Sequence, residues 1–539
     1  MMVLTQEVIR QLLAQTFILL VIPNLAFGSR ILAYVVTPSY SHQVVFRPLW
    51  RELSLRGHNV TLLTTHPMND PALTNLTEID LSSSYEVMSR GLSKVLTSEV
   101  NPFTSMRIYI DTFNDVMDHQ MRHPFVQDLL NNPSMEFDVF LLESMMAPAV
   151  AFAKRFECPL VGFTSLPAIE TLNNYMGVPT HPVLYPDVLL PFDKAETLPE
   201  RVISLVYQLF MQLVTDFYVH PIQNVAIERY FGKGYGTVHE HVANTSLMIV
   251  NTNSVLGRSR PMVPTVVQVG GINRAPPKPL AEVPESHVCS LIIPHLQPLK
   301  TILDTSTDGF IYFSLGSNVK SKDLPPQTRE VLLEAFAELP YRILWKFELD
   351  DLPKKPENVI ISRWFPQTDV LKHPNIKLFI TQGGLQSMEE AIFEGVPMVG
   401  MPVFADQPGN VQKMVRKGFG LYVNIWGLEK GALKQAVVEV IENPTYRSKV
   451  REASRLALDQ PIGALELAVW WVEYVIRHKG ATHFQSPLRH ISWCQYLLLD
   501  VIAVLLLVIV LFLTVTYISI RIITKYIRKV LFQPKFKSE

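Results

Sequence analysis

Cysteine is scarce in this chain: there are three, Cys158, Cys289 and Cys494, in 539 residues. An odd, widely spaced set builds no disulfide framework and has no metal-ligand spacing, so the chemistry is expected to need neither a metal nor a bound cofactor. An excess of either charge is also lacking. Lys and Arg number 48 against 49 Asp and Glu, a net charge of −1, which argues against nucleic acid as a partner because phosphate-backbone binders need a basic face. Charge runs and low-complexity tracts are missing outside the C-terminal tail. What is plentiful is apolar: 48% of the residues are hydrophobic, enough for the cores of two or three domains.

Both ends carry membrane signals. Residues 17–22 are apolar and are followed by Pro23-Asn24, with Ala26 and Gly28 at cleavage-site spacing, so residues 1–28 read as a signal peptide; the run is too short to span a bilayer. Residues 501–520 hold no charge, and at about 1.5 Å per residue they match a hydrocarbon core of about 30 Å. A transmembrane helix is therefore expected over residues 496–520. Arg521, Lys525, Arg528, Lys529, Lys535 and Lys537 follow, so the positive-inside rule puts the tail, residues 521–539, in the cytosol and the bulk in a lumen. Lys535 and Lys537 resemble a dilysine retrieval signal of the endoplasmic reticulum. Sequons stand at Asn59, Asn75 and Asn244; Asn59 opens an expected buried strand, so Asn75 or Asn244 is expected to be modified first.

Between these ends the chain alternates apolar runs with helical stretches. Residues 31–36 and 60–64 read as strands around a helical stretch closed by Gly57, a βαβ unit that argues for a parallel sheet, and residues 137–142 and 160–163 repeat the theme. Residues 310–315, 342–346, 359–361, 378–380 and 398–401 form a second series, with a Pro-rich linker at residues 275–307 between. The fold class is α/β: two doubly wound, Rossmann-like domains, residues 29–274 and 308–495, facing a cleft. Ligands in such sheets bind at the carboxyl ends of strands. His42 follows the first strand and Glu143 the strand ending at Leu142, so both address one crevice. A lone His near a helix start is more often a cap or surface residue, but an imidazole is a suitable base for a hydroxyl, and a carboxylate on its other nitrogen would orient it. Residues 102–110 and 202–218 are apolar stretches read as core helices, with a pocket lining or a membrane surface as alternatives.

Residues 364–407 carry the densest chemistry: WFPQTDVLKHPNIKLFITQGGLQSMEEAIFEGVPMVGMPVFADQ. Leu378-Phe379-Ile380 reads as a buried strand, and Thr381-Gln382-Gly383-Gly384 turns the chain into a helix over residues 385–393. The free N–H groups at that helix start suit a diphosphate, and the glycines let a backbone come close. Singly, Gly-Gly is an ordinary turn, Trp364 a core residue and Asp406-Gln407-Pro408 a turn.

Together at this spacing, these residues resemble the UDP-glycosyltransferase signature, and the likeness extends over residues 31–521. It is closest in look to the membrane-bound insect members. The resemblance implies a GT-B arrangement in which Trp364 stacks on uracil with Gln367 beside it. Ser317, Gln382, Gly383, Gly384 and Ser387 would hold the diphosphate, Glu390 the ribose hydroxyls, and Asp406 and Gln407 the sugar. Arg260 matches a family arginine near the diphosphate. His42 corresponds to the family base and Glu143 to its orienting acid, usually Asp. Most relatives place His at Gln382; a neutral amide still donates to phosphate but cannot become a cation. Residues 469–478 resemble a helix that crosses back to the first domain.

The expected function is inverting transfer of a hexose from a UDP-sugar to a hydroxyl of a small lipophilic acceptor, of xenobiotic, phenolic or steroid-like kind. Glucose is the expected sugar, with glucuronic acid as the alternative. The expected setting is the membrane of the endoplasmic reticulum, with membrane lipid as a further partner and the oligomeric state, a homo-oligomer included, left open. The competing reading is a lumenal protein that binds a UDP-sugar or lipophile on an inactive glycosyltransferase scaffold.

Overall fold

The computed structural model describes residues 28–97, 102–143, 147–192, 194–257, 259–274 and 299–532. The expected signal peptide, apart from Gly28, most of the expected linker and the Lys535/Lys537 pair lie outside these residues.

Two parallel sheets organise the body. The first contains β1 (Arg30–Val35), β2 (Asn59–Thr64), β3 (Leu76–Asp80), β4 (Val139–Glu143), β5 (Leu160–Thr164), β6 (Leu247–Val250) and β7 (Val266–Gln268), in the order β3-β2-β1-β4-β5-β6-β7. The second contains β8 (Phe310–Ser314), β9 (Arg342–Lys346), β10 (Val359–Ser362), β11 (Ile376–Thr381), β12 (Met398–Gly400) and β13 (Gly420–Tyr422), in the order β10-β9-β8-β11-β12-β13. Helices cover both faces, so the central strands are apolar throughout: β4, β5, β6 and β8 are buried at every position. Alternate residues of one strand enter opposite cores. Ile31, Ala33 and Val35 pack on one side of the first sheet with Trp50, and Leu32 and Tyr34 on the other with Phe140 and Phe152.

Several boundaries differ from the sequence reading. The helix Leu299–Asp304 falls in the expected linker, but its buried Leu303 joins Phe310 and Tyr312 in a core of the second domain. The returning helix starts at Ala464 and ends at His478; Ala468, Val472 and Val475, spaced i, i+4, i+7, pack with Ile31 and Trp50, so it completes the first domain. Asn59 is the exposed first residue of β2, so burial does not set it behind Asn75 and Asn244, which are also exposed.

The largest departure is the helix Leu198–Val214, read as a core helix from its apolar content. Ser204 is its one buried residue, bonded through its hydroxyl to the Pro182 carbonyl at 2.5 Å. Val202, Leu205, Val206, Leu209 and Leu213 are each more than 45% exposed and follow helical spacing along the outer face. Sequence periodicity shows that an apolar stripe exists, not what covers it.

Residues 486–532 form a separate unit. Its helix, Leu499–Leu531, has 33 residues and a mean hydropathy of 3.1 over its most apolar window. It fits a single-pass membrane anchor. Leu498, at φ +54°, separates it from the short helix Trp493–Tyr496. No Pro or Gly interrupts residues 499–531, so the helix continues past the expected end through Arg521, Lys525, Arg528 and Lys529.

Candidate active site

In each sheet the strand order reverses once, between β1 and β4 and between β8 and β11. Open α/β sheets bind ligands at such points, beyond the carboxyl ends of the strands. Here both points open on one cleft.

On the first domain's side, the chain leaves β1 at Val35 and enters a short helix, Tyr40–Val44, that carries His42. Glu143 is the last residue of β4. His42 Nδ1 lies 2.6 Å from Glu143 Oε1, and the second carboxylate oxygen accepts the Thr37 backbone N–H at 2.8 Å. Glu143 is 1% exposed. Burial alone would raise its pKa, but the charge and hydrogen bond of His42 and the Thr37 N–H outweigh it and hold the carboxyl below its ordinary value. A carboxylate on Nδ1 fixes the proton there and leaves Nε2 as the basic nitrogen. Ser165 Oγ, just past β5, approaches the same Nδ1 at 2.9 Å.

Across the cleft, Gly316 and Gly383 terminate β8 and β11 in the left-handed region, at φ +76° and +82°. A Cβ on Gly316 would stand 2.1 Å from Gln382 Nε2 and push that side chain aside, and the backbone angle itself favours glycine here. Gln382 is 7% exposed and accepts from Thr381 Oγ1 at 3.2 Å. The helix Leu385–Phe393 starts at Gly384, which has no side chain to cap it; the Leu385 N–H turns to the Asp406 carboxyl, and the N–H groups after it are the ones left for an anion. Ser317 is partly buried beside this turn's partner loop. Gln367 Nε2 donates to Ser387 Oγ at 3.1 Å and to Glu390 Oε2 at 3.0 Å, which brings three expected donor-site residues into one cluster. Burial raises the pKa of Glu390, offset in part by hydrogen bonds from Gln367 and Thr368.

Trp364 is 50% exposed and meets the ring of Tyr40, from the first domain, edge-on at 4.9 Å. It walls a cavity of ≈ 680 Å³ shared with Tyr40, His66 and Tyr85. Asp406 precedes the helix Gln407–Lys417 and accepts from Asn410 Nδ2 at 2.6 Å. Burial raises its pKa against hydrogen bonds from Asn410 and the Leu385 N–H and the charge of His42, which places it within electrical reach of the other domain's histidine. Ala405, before it, is held at φ +57°, a strained angle for alanine.

Two expected contacts change. The side-chain amide oxygen of Gln407, Oε1, accepts the Val403 and Phe404 N–H groups at 2.9 and 3.1 Å, so it fixes the turn, and only the side-chain nitrogen is left for a sugar. Arg260 lies elsewhere. Its guanidinium makes a fork with Glu170 at 2.9 and 3.3 Å, bonds the Pro179 carbonyl and stacks over Tyr185, so its described partners all belong to the first domain, which it braces. Lys346 was missed. It ends β9, is 6% exposed, donates to the Gly316 carbonyl at 2.9 Å and stands 5.6 Å from the Trp364 ring centre. A lysine at the carboxyl end of a strand, directly after the apolar Ile343-Leu344-Trp345, was the available signal.

A family model described as UDP-glucoronosyl and UDP-glucosyl transferase matches residues 31–536. The chain belongs to this family. Among its relatives, UDP-glucosyltransferase 2 of Dactylopius coccus is 32% identical over 94% of this chain and 93% of its own length. UDP-glucuronosyltransferase 2B1 of Rattus norvegicus is 30% identical over 87% of this chain and 89% of its own. The solved glycotransferase of kitacinnamycin superposes with a TM-score of 0.55 at 20% identity, over 83% of this chain and 98% of that one, a likeness of the two-domain GT-B fold. The protein is thus a UDP-glycosyltransferase.

Proposed function

We propose that this transferase moves glucose, with inversion, from UDP-glucose to a hydroxyl of a small lipophilic acceptor. The observation that carries the reading is the 2.6 Å contact between His42 Nδ1 and Glu143 Oε1, set at one switch point while the glycine turn at Gln382 occupies the other. His42 Nε2 takes the acceptor proton as the hydroxyl oxygen bonds to the anomeric carbon. The bond from that carbon to the diphosphate breaks, and UDP leaves with the electron pair. Its charge falls on the start of the helix Leu385–Phe393, with Ser317, Gln382, Gly383, Gly384 and Ser387 as donors and Lys346 close by, so the reading requires no metal. Trp364 and Gln367 hold uracil, Glu390 the ribose, and Asp406 and Gln407 the hexose. Glu143 in place of the usual Asp does not argue for a retired enzyme, because the longer side chain reaches the imidazole.

Glucose is favoured over glucuronic acid by the surroundings of Asp406. Its described partners are Asn410, the Leu385 amide and His42; none is Lys or Arg, and a sugar carboxylate would face the Asp406 carboxylate. The setting is the membrane of the endoplasmic reticulum, with the body in the lumen and the residues after the anchor in the cytosol. The exposed stripe of the helix Leu198–Val214 suits the lipid interface, where it would pick up acceptors that partition into the bilayer. Replacing Leu205, Leu209 and Leu213 together by Lys is expected to raise KM for lipophilic acceptors severalfold and leave KM for the UDP-sugar unchanged; equal changes in both would count against the stripe's role.

The test of function is UDP release by membranes carrying the full chain, with UDP-glucose, UDP-glucuronic acid and UDP-N-acetylglucosamine each offered against phenols, flavonoids and steroids. Release that needs an acceptor and is fastest with UDP-glucose supports the reading. Acceptor-dependent release that is fastest with UDP-glucuronic acid overturns the sugar assignment.

A further inference from the structure

The helix that carries Glu390 toward the donor also carries a second carboxyl, one residue earlier, into the seam between the domains. Glu389 is 5% exposed, and its Oε2 accepts from Asn251 Nδ2 at 3.2 Å. Asn251 follows β6 of the first domain, is fully buried, and donates from the same nitrogen to the Ser165 carbonyl at 3.1 Å. Gln386, three residues before Glu389, donates to that carbonyl as well, at 2.9 Å. Ser165 in turn places its hydroxyl 2.9 Å from the base, His42 Nδ1. One helix of the donor domain therefore holds the residue that touches the base of the other domain, directly through Gln386 and by way of Asn251 through Glu389.

A buried carboxylate with a single neutral donor is a costly arrangement. The amide of Asn251 is also incomplete, since its oxygen is buried with no partner. A neutral carboxyl resolves both, because it carries no charge and brings the O–H that an amide oxygen lacks. Burial pushes the Glu389 pKa up to about 8, against the Asn251 hydrogen bond and the charge of Lys413 on the neighbouring helix and with a push from Glu390. Lys413 and Glu390 are the charged groups that act on it.

The geometry points to Glu389 as a positioning residue: with Gln386, Asn251 and Ser165 it forms a latch across the cleft that sets the base, His42, against the donor-binding helix. The proposal rests on His42 being the base. Holding reactants in line across two domains is worth much of the catalysis, and a misplacement of about 1 Å costs on the order of 10²-fold. The latch acts in its neutral form and is released as pH rises past that of Glu389.

The experiment compares wild type, Glu389→Leu and Glu389→Gln as full chains, measuring kcat and KM from pH 6 to 9 and UDP affinity by titration. In Glu389→Leu, kcat falls about 10–10²-fold, with UDP affinity and donor KM within about twofold of wild type. Glu389→Gln, which keeps a hydrogen-bonding group of similar shape, recovers most of that loss. Wild-type kcat declines as pH rises through about 8, and that decline is missing in Glu389→Gln. A Glu389→Leu enzyme with kcat within twofold of wild type, or a decline that persists in Glu389→Gln, overturns the proposal. If Glu389→Leu does not fold, the pH profile of Glu389→Gln decides. His42→Ala, run alongside, keeps the failures apart: an active His42→Ala enzyme refutes the base itself, whereas an inactive one beside unchanged Glu389 variants refutes only the latch.

Discussion

Replacing Glu143 by Gln changes one atom and, on this structure, reverses the proton map of the base. Glu143 Oε1 faces His42 Nδ1 at 2.6 Å and Oε2 accepts the Thr37 N–H at 2.8 Å. The Thr37 N–H demands an acceptor, so the introduced amide keeps its oxygen there and turns its NH2 to the imidazole. Nδ1 must then accept, the ring proton moves to Nε2, and the nitrogen aimed at the acceptor has no lone pair to offer. Loss of tautomer control in a carboxylate-oriented histidine costs on the order of 10³–10⁴ in kcat, or ~4–5.5 kcal/mol of barrier. The shape is unchanged and the donor domain untouched, so UDP affinity and melting temperature should stay near wild type. Single-turnover transfer under saturating donor and acceptor, with calorimetric UDP binding alongside, measures both. A kcat within tenfold of wild type in a folded, UDP-binding Glu143→Gln enzyme would refute the tautomer argument. Glu143→Asp restores the commoner family residue but opens a gap of about 1.5 Å in a backbone placed for Glu, so it should lose about 10²-fold.

Trp364→Ala should weaken UDP binding by ~1–3 kcal/mol, the usual worth of an aromatic stacked on a base, with little change in kcat; an unchanged Kd for UDP would remove Trp364 from the uracil site. Gly316→Ala should destabilise the fold by ~1–3 kcal/mol and weaken UDP binding, because the new methyl strains φ +76° and displaces Gln382; a normal melting temperature would contradict the packing argument. Glu389 sets a pH dependence of stability. Its folded pKa, about 8, is raised above 4.5, so its contribution is complete below the unfolded value and is lost as pH climbs between the two, by up to ~1.4 kcal/mol per pH unit. Urea midpoints at successive pH values should therefore fall more steeply with pH in wild type than in Glu389→Gln, and parallel slopes would contradict the burial of a neutral acid there.

The strands that position the site were legible because they are buried on both faces and read as apolar runs: β4 and β8 are examples, and the helix Leu385–Phe393 was marked by the glycines before it. β3, with its half-exposed Leu76-Thr77-Glu78-Ile79-Asp80, and the three-residue β7 and β13 are too short or too exposed for periodicity to mark. The pairing of His42 with Glu143 could be anticipated from strand ends alone, since topology brings the carboxyl ends of parallel neighbours together. The partner of Arg260 could not. Glu170 is 90 residues away in the chain, and nothing local distinguishes a guanidinium that braces a loop from one that binds phosphate. Glu389 was hidden for the same reason: adjacent glutamates on one helix look alike until packing sends Glu390 to the donor side and its neighbour into the seam between domains. The outward apolar face of the helix Leu198–Val214 shows the limit of amphipathicity, which fixes the face and not its environment.

The measurement that tests the central claim most directly is acceptor-dependent release of UDP from UDP-glucose by full-length wild type and His42→Ala, with UDP affinity measured on both. The account predicts that transfer is lost in His42→Ala while UDP binding is kept, since the donor-binding residues stand on the other domain. Transfer retained in His42→Ala at a rate near wild type would contradict it.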